Sequence, residues 1–150
     1  MSNLRELYQE VILDHNRRPR NLGVLPDADR TAEGSNPLCG DKLSVFLKID
    51  GDVISDIRFQ GSGCAISKAS ASLMTDRVKG QTLAEVQRLF ERFQAMVTTD
   101  TDQPRLEDFG KLSVLAGVRD YPMRVKCATL AWHTLRAAVD AETDIVSTEQ

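Results

Sequence analysis

Apolar residues recur at helical spacing at the start of the chain, at Leu4, Leu7, Tyr8, Val11 and Ile12. Positions three and four apart share one face of a helix, so this stretch predicts an amphipathic helix. Asn3 followed by Glu6 fits a capping box, and Arg17, Arg18 and Pro19 mark the end. Residues 20–38 read as loop, with one short edge strand near Thr31–Asn36. The period then changes to two. Leu43, Val45, Leu47 and Ile49 alternate with Ser44, Phe46, Lys48 and Asp50, and Val53, Ile57 and Phe59 mark a second strand. Asp50-Gly51 between them predicts a tight type I′ hairpin, whose two central residues need positive φ. Beyond Gly61-Ser62-Gly63 helical spacing returns. Ile66, Ala69, Leu73 and Met74 lie on a helix rich in small residues that ends near Gly80. Thr82-Leu83-Ala84-Glu85 is a second capping box, opening a helix with Leu83, Val86, Phe90, Phe93 and Val97 on one face. A polar loop from Thr98 to Pro104 precedes a shorter helix through Leu106, Phe109, Leu112 and Leu115, stopped by Gly117. Pro122 suits the first position of a last helix carrying Cys127, Leu130, Ala131, Leu135 and Ala138. Residues 142–150 are polar and predict no element. Strands and helices are segregated along the chain. The expected class is therefore α+β: a small antiparallel three-stranded sheet packed on one face by about five helices.

Composition narrows the setting. A chain of 150 residues with 41% hydrophobic and 27% charged positions suits one globular domain, residues 1–150. No repeat or low-complexity tract divides it. No apolar run approaches the roughly 18 residues a membrane helix needs. The N-terminus, Met1-Ser2-Asn3-Leu4-Arg5-Glu6, lacks the apolar core of a signal peptide, which predicts a cytoplasmic protein. A net charge of −3 argues against a dedicated nucleic-acid binder. The basic residues Arg17, Arg18 and Arg20 have no interleaved aromatics and read as a solvated helix end.

Candidate chemistry rests on three cysteines, too few and too odd in number for a disulfide framework. In a reducing compartment such thiols are buried, bind metal or react. Cys39 lies in Asn36-Pro37-Leu38-Cys39-Gly40-Asp41, where Gly40 lets the chain bend so that Asp41 faces the same point as Cys39. The plainer reading is a half-buried thiol beside an ordinary turn aspartate. Cys64 opens a helix, where unpaired N–H groups and the helix dipole favour a thiolate. It also fits as a small apolar residue in a cap. Cys127 lies among apolar residues at helical spacing and reads first as core, although Arg124 and Lys126 are near it in sequence. No C-x-x-C pair exists, so spacing alone does not show that the three thiols meet. If they converge, three thiolates and Asp41 make four ligands suited to tetrahedral zinc or to iron in a cluster.

Other motifs are missing. There is no phosphate loop, no G-x-S-x-G and no H-E-x-x-H. His15 reads as a surface residue at a helix C-terminus, and His133 lies on a different helix face from Cys127.

Four stretches together carry a resemblance. They are Leu7-Tyr8 with Ile12-Leu13-Asp14-His15 and Pro19-Arg20-Asn21; Asn36-Pro37 through Cys39-Gly40-Asp41; Phe59 through Gly61-Ser62-Gly63-Cys64-Ala65-Ile66-Ser67; and Arg124-Val125-Lys126-Cys127-Ala128. On these residues the chain resembles the U-type iron–sulfur cluster assembly proteins, the IscU/SufU family, and most closely the SufU branch, over roughly residues 4–140. Lys126 stands where the IscU branch has a histidine directly before the third cysteine. Asp120-Tyr121-Pro122-Met123-Arg124 stands where that branch has a Leu-Pro-Pro-Val-Lys chaperone-binding segment. The stretch from about Thr98 to Val118 looks like the extra piece typical of SufU proteins.

The resemblance implies a SufE/IscU-like fold and one metal site formed by Cys39, Asp41, Cys64 and Cys127. It implies zinc as cofactor and a SufS-like cysteine desulfurase as sulfur donor, with downstream iron–sulfur assembly proteins as further partners. In that reading a thiolate of this chain attacks the outer sulfur of the desulfurase persulfide. Cys39 is the expected acceptor, because a loop beside Gly40 moves more readily than the helices of Cys64 and Cys127. Arg124, one helical turn before Cys127, is the expected orienting cation for Asp41 or a departing thiolate. Two alternatives use the same residues: a scaffold for iron or a transient [2Fe-2S] cluster, and a structural zinc domain without sulfur chemistry.

Overall fold

The computed structural model describes residues 3–36, 40–98, 115, 121–140 and 146–147, with side chains described for 9–36, 40–97, 115 and 121–140. Strict alternation builds the sheet. In β1 (Arg30–Asn36) Ala32, Gly34 and Asn36 face inward; in β2 (Asp41–Asp50) Asp41, Leu43, Val45 and Leu47 do so. The two strands pair antiparallel from Arg30↔Leu47 to Asn36↔Asp41, and β2 pairs antiparallel with β3 (Val53–Ser62).

The β2–β3 turn departs from the type I′ expectation. Asp50 pairs with Val53, so the central residues are Gly51 and Asp52, one position further on. Gly51 has φ +65, whereas Asp52 is not among the positive-φ residues. Glycine at the first central position is the mark of a type II′ turn. A bulge follows: Lys48 pairs with Asp56 but Ile49 with Ile54, which leaves Ser55 as an extra residue on β3. The bulge resets the phase, so Ile54 enters the core together with Ile57 and Phe59, in place of the expected Val53.

Four helices are seen among the described residues: α1 (Asn3–Arg17), α2 (Ala65–Val78), α3 (Leu83–Thr98) and α4 (Pro122–Val139). Helix α4 packs on β1 and β2, α2 on β3 and α4, α1 on α2, and α3 on α4. The other sheet face presents Thr31, Glu33, Lys42 and Gln60 to solvent. This is the expected α+β arrangement with helices on one side. The helix expected over Leu106–Leu115 lies outside the described residues apart from Leu115, which is fully buried. A two-residue β4 (Val146–Ser147) pairs parallel with β1 and gives the sheet order β3-β2-β1-β4. No element was expected there, because two polar-flanked residues carry no periodicity.

Thr82 caps α3 as expected, its hydroxyl accepting the Glu85 N–H at 3.1 Å. Val86, Leu89, Phe90, Phe93, Met96 and Val97 are buried, and the Phe93 ring stacks on Trp132 of α4 at 4.4 Å. His15 is not on the surface. It is 1% exposed, with Nδ1 2.7 Å from Ser72 Oγ, which also accepts the Arg20 N–H. The helix-end signal placed His15 by sequence position, but α1 lies flat against the serine-rich face of α2. No helix among the described residues is long and apolar enough to cross a membrane.

Candidate metal centre

Three chain segments end at one corner of the sheet. Asp41 is the first residue of β2 and shares the inward face with Leu43 and Val45, so its carboxylate is carried into the interior. Cys64 follows the end of β3 and is the N-cap of α2; its sulfur accepts the Ser67 N–H at 3.4 Å. Cys127 sits on the buried face of α4 near its N-terminus. Two close approaches bring these elements together. Gly34 lets α4 cross β1, because a Cβ there would collide with Thr134 Oγ1. Ser70 of α2 donates to the Ala128 carbonyl of α4 at 2.6 Å, next to Cys127 in sequence.

One ligand atom from each of Asp41, Cys64 and Cys127 lies within 4.8 Å of the other two. The Cys64 N–H donates to Asp41 Oδ1 at 2.8 Å, which sets the carboxylate at the positive end of α2. The Cys64 thiol lies 3.8 Å from Asp41 Oδ2. Asn36 Nδ2 donates to Cys127 Sγ at 3.6 Å. Asp41 is 0% exposed, and no basic side chain pairs with it among the described residues. A buried carboxylate is costly unless a cation or donors compensate it. A carboxylate oxygen and two sulfurs in this arrangement suit a tetrahedral cation with zinc–sulfur bonds of about 2.3 Å, after a small contraction. The residues present therefore fit a soft divalent metal.

Cys39 lies outside the described residues. Both posts of its loop are placed: Asn36 and Asp41 face each other across the β1–β2 connection, and the Gly40 N–H donates to the Asn36 carbonyl at 2.9 Å. Gly40 is exposed with φ +73, which supplies the bend the sequence suggests. Arg124 is not drawn into the cluster. It is exposed, with its guanidinium 4.9 Å from the centroid of the Tyr121 ring. His133 stands apart too, edge-on to Phe90, and burial pushes its pKa down. Asn36 and Ser67 were not singled out from sequence. Both are fully buried beside the sulfurs, and Asn36 Oδ1 and Ser67 Oγ find no hydrogen-bond partner among the described residues. The signals for Asn36 in the sequence are its place at the end of the β1 segment and its membership of the Asn36-Pro37 to Asp41 stretch that carries the resemblance.

An α+β scaffold that gathers a carboxylate and two thiols at one end of its sheet defines a class of protein with a candidate metal centre. Comparison with known proteins makes this specific: the profile of the NifU-like N-terminal domain matches residues 7–141. The chain belongs to this family, the U-type iron–sulfur cluster assembly proteins that its sequence resembles. It is 40% identical over 141 residues to the zinc-dependent sulfurtransferase SufU of Bacillus subtilis (strain 168), covering 94% of this chain and 95% of that one. It is 42% identical over 139 residues to the iron–sulfur cluster assembly scaffold protein IscU of Streptococcus pyogenes serotype M1, covering 93% and 86%. In structure it is similar to a candidate iron–sulfur cluster assembly scaffold for the SUF system from Fervidobacterium islandicum AW-1. That match has a TM-score of 0.81 at 34% identity and covers 89% of this chain and 97% of that one.

Proposed function

We propose that this protein binds zinc through Cys39, Asp41, Cys64 and Cys127 and accepts persulfide sulfur from a cysteine desulfurase for iron–sulfur cluster assembly. The observation that carries the reading is the convergence of Asp41, Cys64 and Cys127 from three separate elements onto one point, with Asp41 and Cys127 buried and Cys64 half-buried. Similarity to a relative named a zinc-dependent sulfurtransferase supports the choice of metal. When bound, zinc keeps its cysteine ligands deprotonated.

Cys39 is the acceptor. It follows Pro37 and precedes Gly40, on the loop between the two fixed posts. Its thiolate attacks the terminal sulfur of the donor's persulfide. A new S–S bond forms on Cys39, the donor's S–S bond breaks, and the donor leaves as a thiolate. Asp41 and Cys64 stay paired at the start of α2, whose dipole favours negative charge. Arg124, exposed on the first turn of α4 and one turn before Cys127, would orient Asp41 or a departing thiolate. A cluster scaffold would use the same ligands, and similarity to a named scaffold keeps that alternative measurable.

Metal analysis after anaerobic purification decides between them: one zinc per chain is expected, whereas stoichiometric iron and sulfide would favour the scaffold. After mixing with desulfurase and cysteine, mass spectrometry is expected to show one added sulfur, about 32 Da, on Cys39. The Cys39→Ala variant stays folded and gains no sulfur. Sulfur acceptance by that variant at the wild-type rate would remove Cys39 from the mechanism.

A further inference from the structure

We infer that Asn36 is a positioning residue of the metal centre, holding the Cys127 sulfur in its ligating orientation through a carboxamide N–H. This rests on the metal reading above. Three observations support it. Asn36 is 0% exposed, at the inward end of β1, where an apolar side chain would fill the space without leaving a polar atom unpartnered. Its Nδ2 lies 3.6 Å from Cys127 Sγ, on the face of α4 that packs against β1. Its Oδ1 is buried with no donor among the described residues.

A carboxamide offers N–H on one side and C=O on the other, and a thiolate only accepts. Turning the amide over would aim an oxygen at an anionic sulfur. With the donor kept on Cys127, Oδ1 faces away from the sulfur, where no described residue donates to it. A buried unsatisfied acceptor costs stability, so the arrangement favours the site at the expense of the fold. Asn36 also pairs with Asp41 in the strand register and accepts the Gly40 N–H on its carbonyl. One residue therefore fixes the base of the Cys39 loop, the strand position of Asp41 and the aim of Cys127. Groups that orient ligands in this way typically contribute 10- to 100-fold to metal affinity.

The test is a Co2+ titration of the full-length protein, read by thiolate-to-cobalt charge transfer and by the visible ligand-field bands, with a melt of the metal-free form. The Asn36→Leu variant, close in shape, is expected to bind Co2+ about 10- to 100-fold more weakly with altered ligand-field bands. Its metal-free melting temperature is expected to be no lower than wild type. A purely structural asparagine predicts the reverse: a lowered melt with unchanged cobalt affinity and bands, and that result overturns the inference. Should the leucine variant not fold, Asn36→Ser and Asn36→Ala are compared. Tighter Co2+ binding by the serine variant, which keeps a donor, supports the role, and equal binding by the two overturns it. Wild-type protein that binds no Co2+ would instead sink the metal reading itself.

Discussion

At Gly63 a hydrogen stands where any other residue would place a Cβ 2.5 Å from Asp41 Oδ1 and 2.9 Å from its Cγ. Those distances are too short for real contacts, and Asp41 has no room to retreat because it is fully buried. Gly63→Ala must therefore push the carboxylate away from the point it shares with Cys64 and Cys127. The expected result is a fall in zinc affinity of about 10- to 100-fold, with a loss of fold stability of about 1–3 kcal/mol, usual for overpacking. A competition titration against a chromophoric chelator, beside a denaturant melt, measures both. Wild-type zinc affinity in this variant would show that the position of Asp41 does not matter to the metal. Much at this scale is legible from sequence. The sequence turns Asp41 toward Cys39 through the Gly40 bend, and the structure sets it on the inward face by continuing the alternation of Leu43, Val45 and Leu47. Asn36 and His15 were not legible, since a polar residue facing inward looks the same in sequence as one facing water.

Between elements, the decisive contact is β1 against α4. Where α4 packs on it, β1 presents the small inward residues Ala32 and Gly34 ahead of Asn36. Thr134 Oγ1, which donates to the Leu130 carbonyl at 2.8 Å, occupies the space a Cβ at Gly34 would need. Gly34→Ala is expected to destabilise the protein by about 1–3 kcal/mol through overpacking. Combining it with Thr134→Ala removes the first colliding atom, so the double variant loses less than the two single losses added together. Strict additivity in a urea-melt cycle would show that the helix has shifted as a body and that the contact is not specific. The strand and helix order of this region was legible from periodicity, and Pro122 marked the start of α4 correctly. The β3 bulge was not, because one extra residue at Ser55 changes which of Val53 and Ile54 is buried without changing their hydrophobicity.

Across the whole molecule, the question is whether the metal makes the fold or the fold makes the metal site. Spacing rules were silent on the convergence of Cys64 and Cys127, which depends on the sheet register and two helix crossings and on no local pattern. The family resemblance supplied what periodicity lacked. The core extends well beyond the residues that flank the cluster. Trp132, Phe93, Leu47, Ile57, Met74 and Leu130 are fully or almost fully buried and join sheet and helices in one hydrophobic core. Small zinc modules that unfold without metal have no such core. The chelator-stripped protein is therefore expected to keep its far-UV circular dichroism and a cooperative melt. Zinc raises stability only by mass action, by about 2.7 kcal/mol at a free concentration one hundred times Kd, and by about 1.4 kcal/mol for each further tenfold. Melting curves across a series of buffered zinc concentrations measure that slope. A stripped chain that is unfolded at 25 °C would show that the proposed ligands serve the fold itself, and the structural-zinc alternative would replace sulfur transfer. A folded stripped chain leaves the ligands free to exchange without collapse, as an acceptor that must expose a thiolate on every cycle requires.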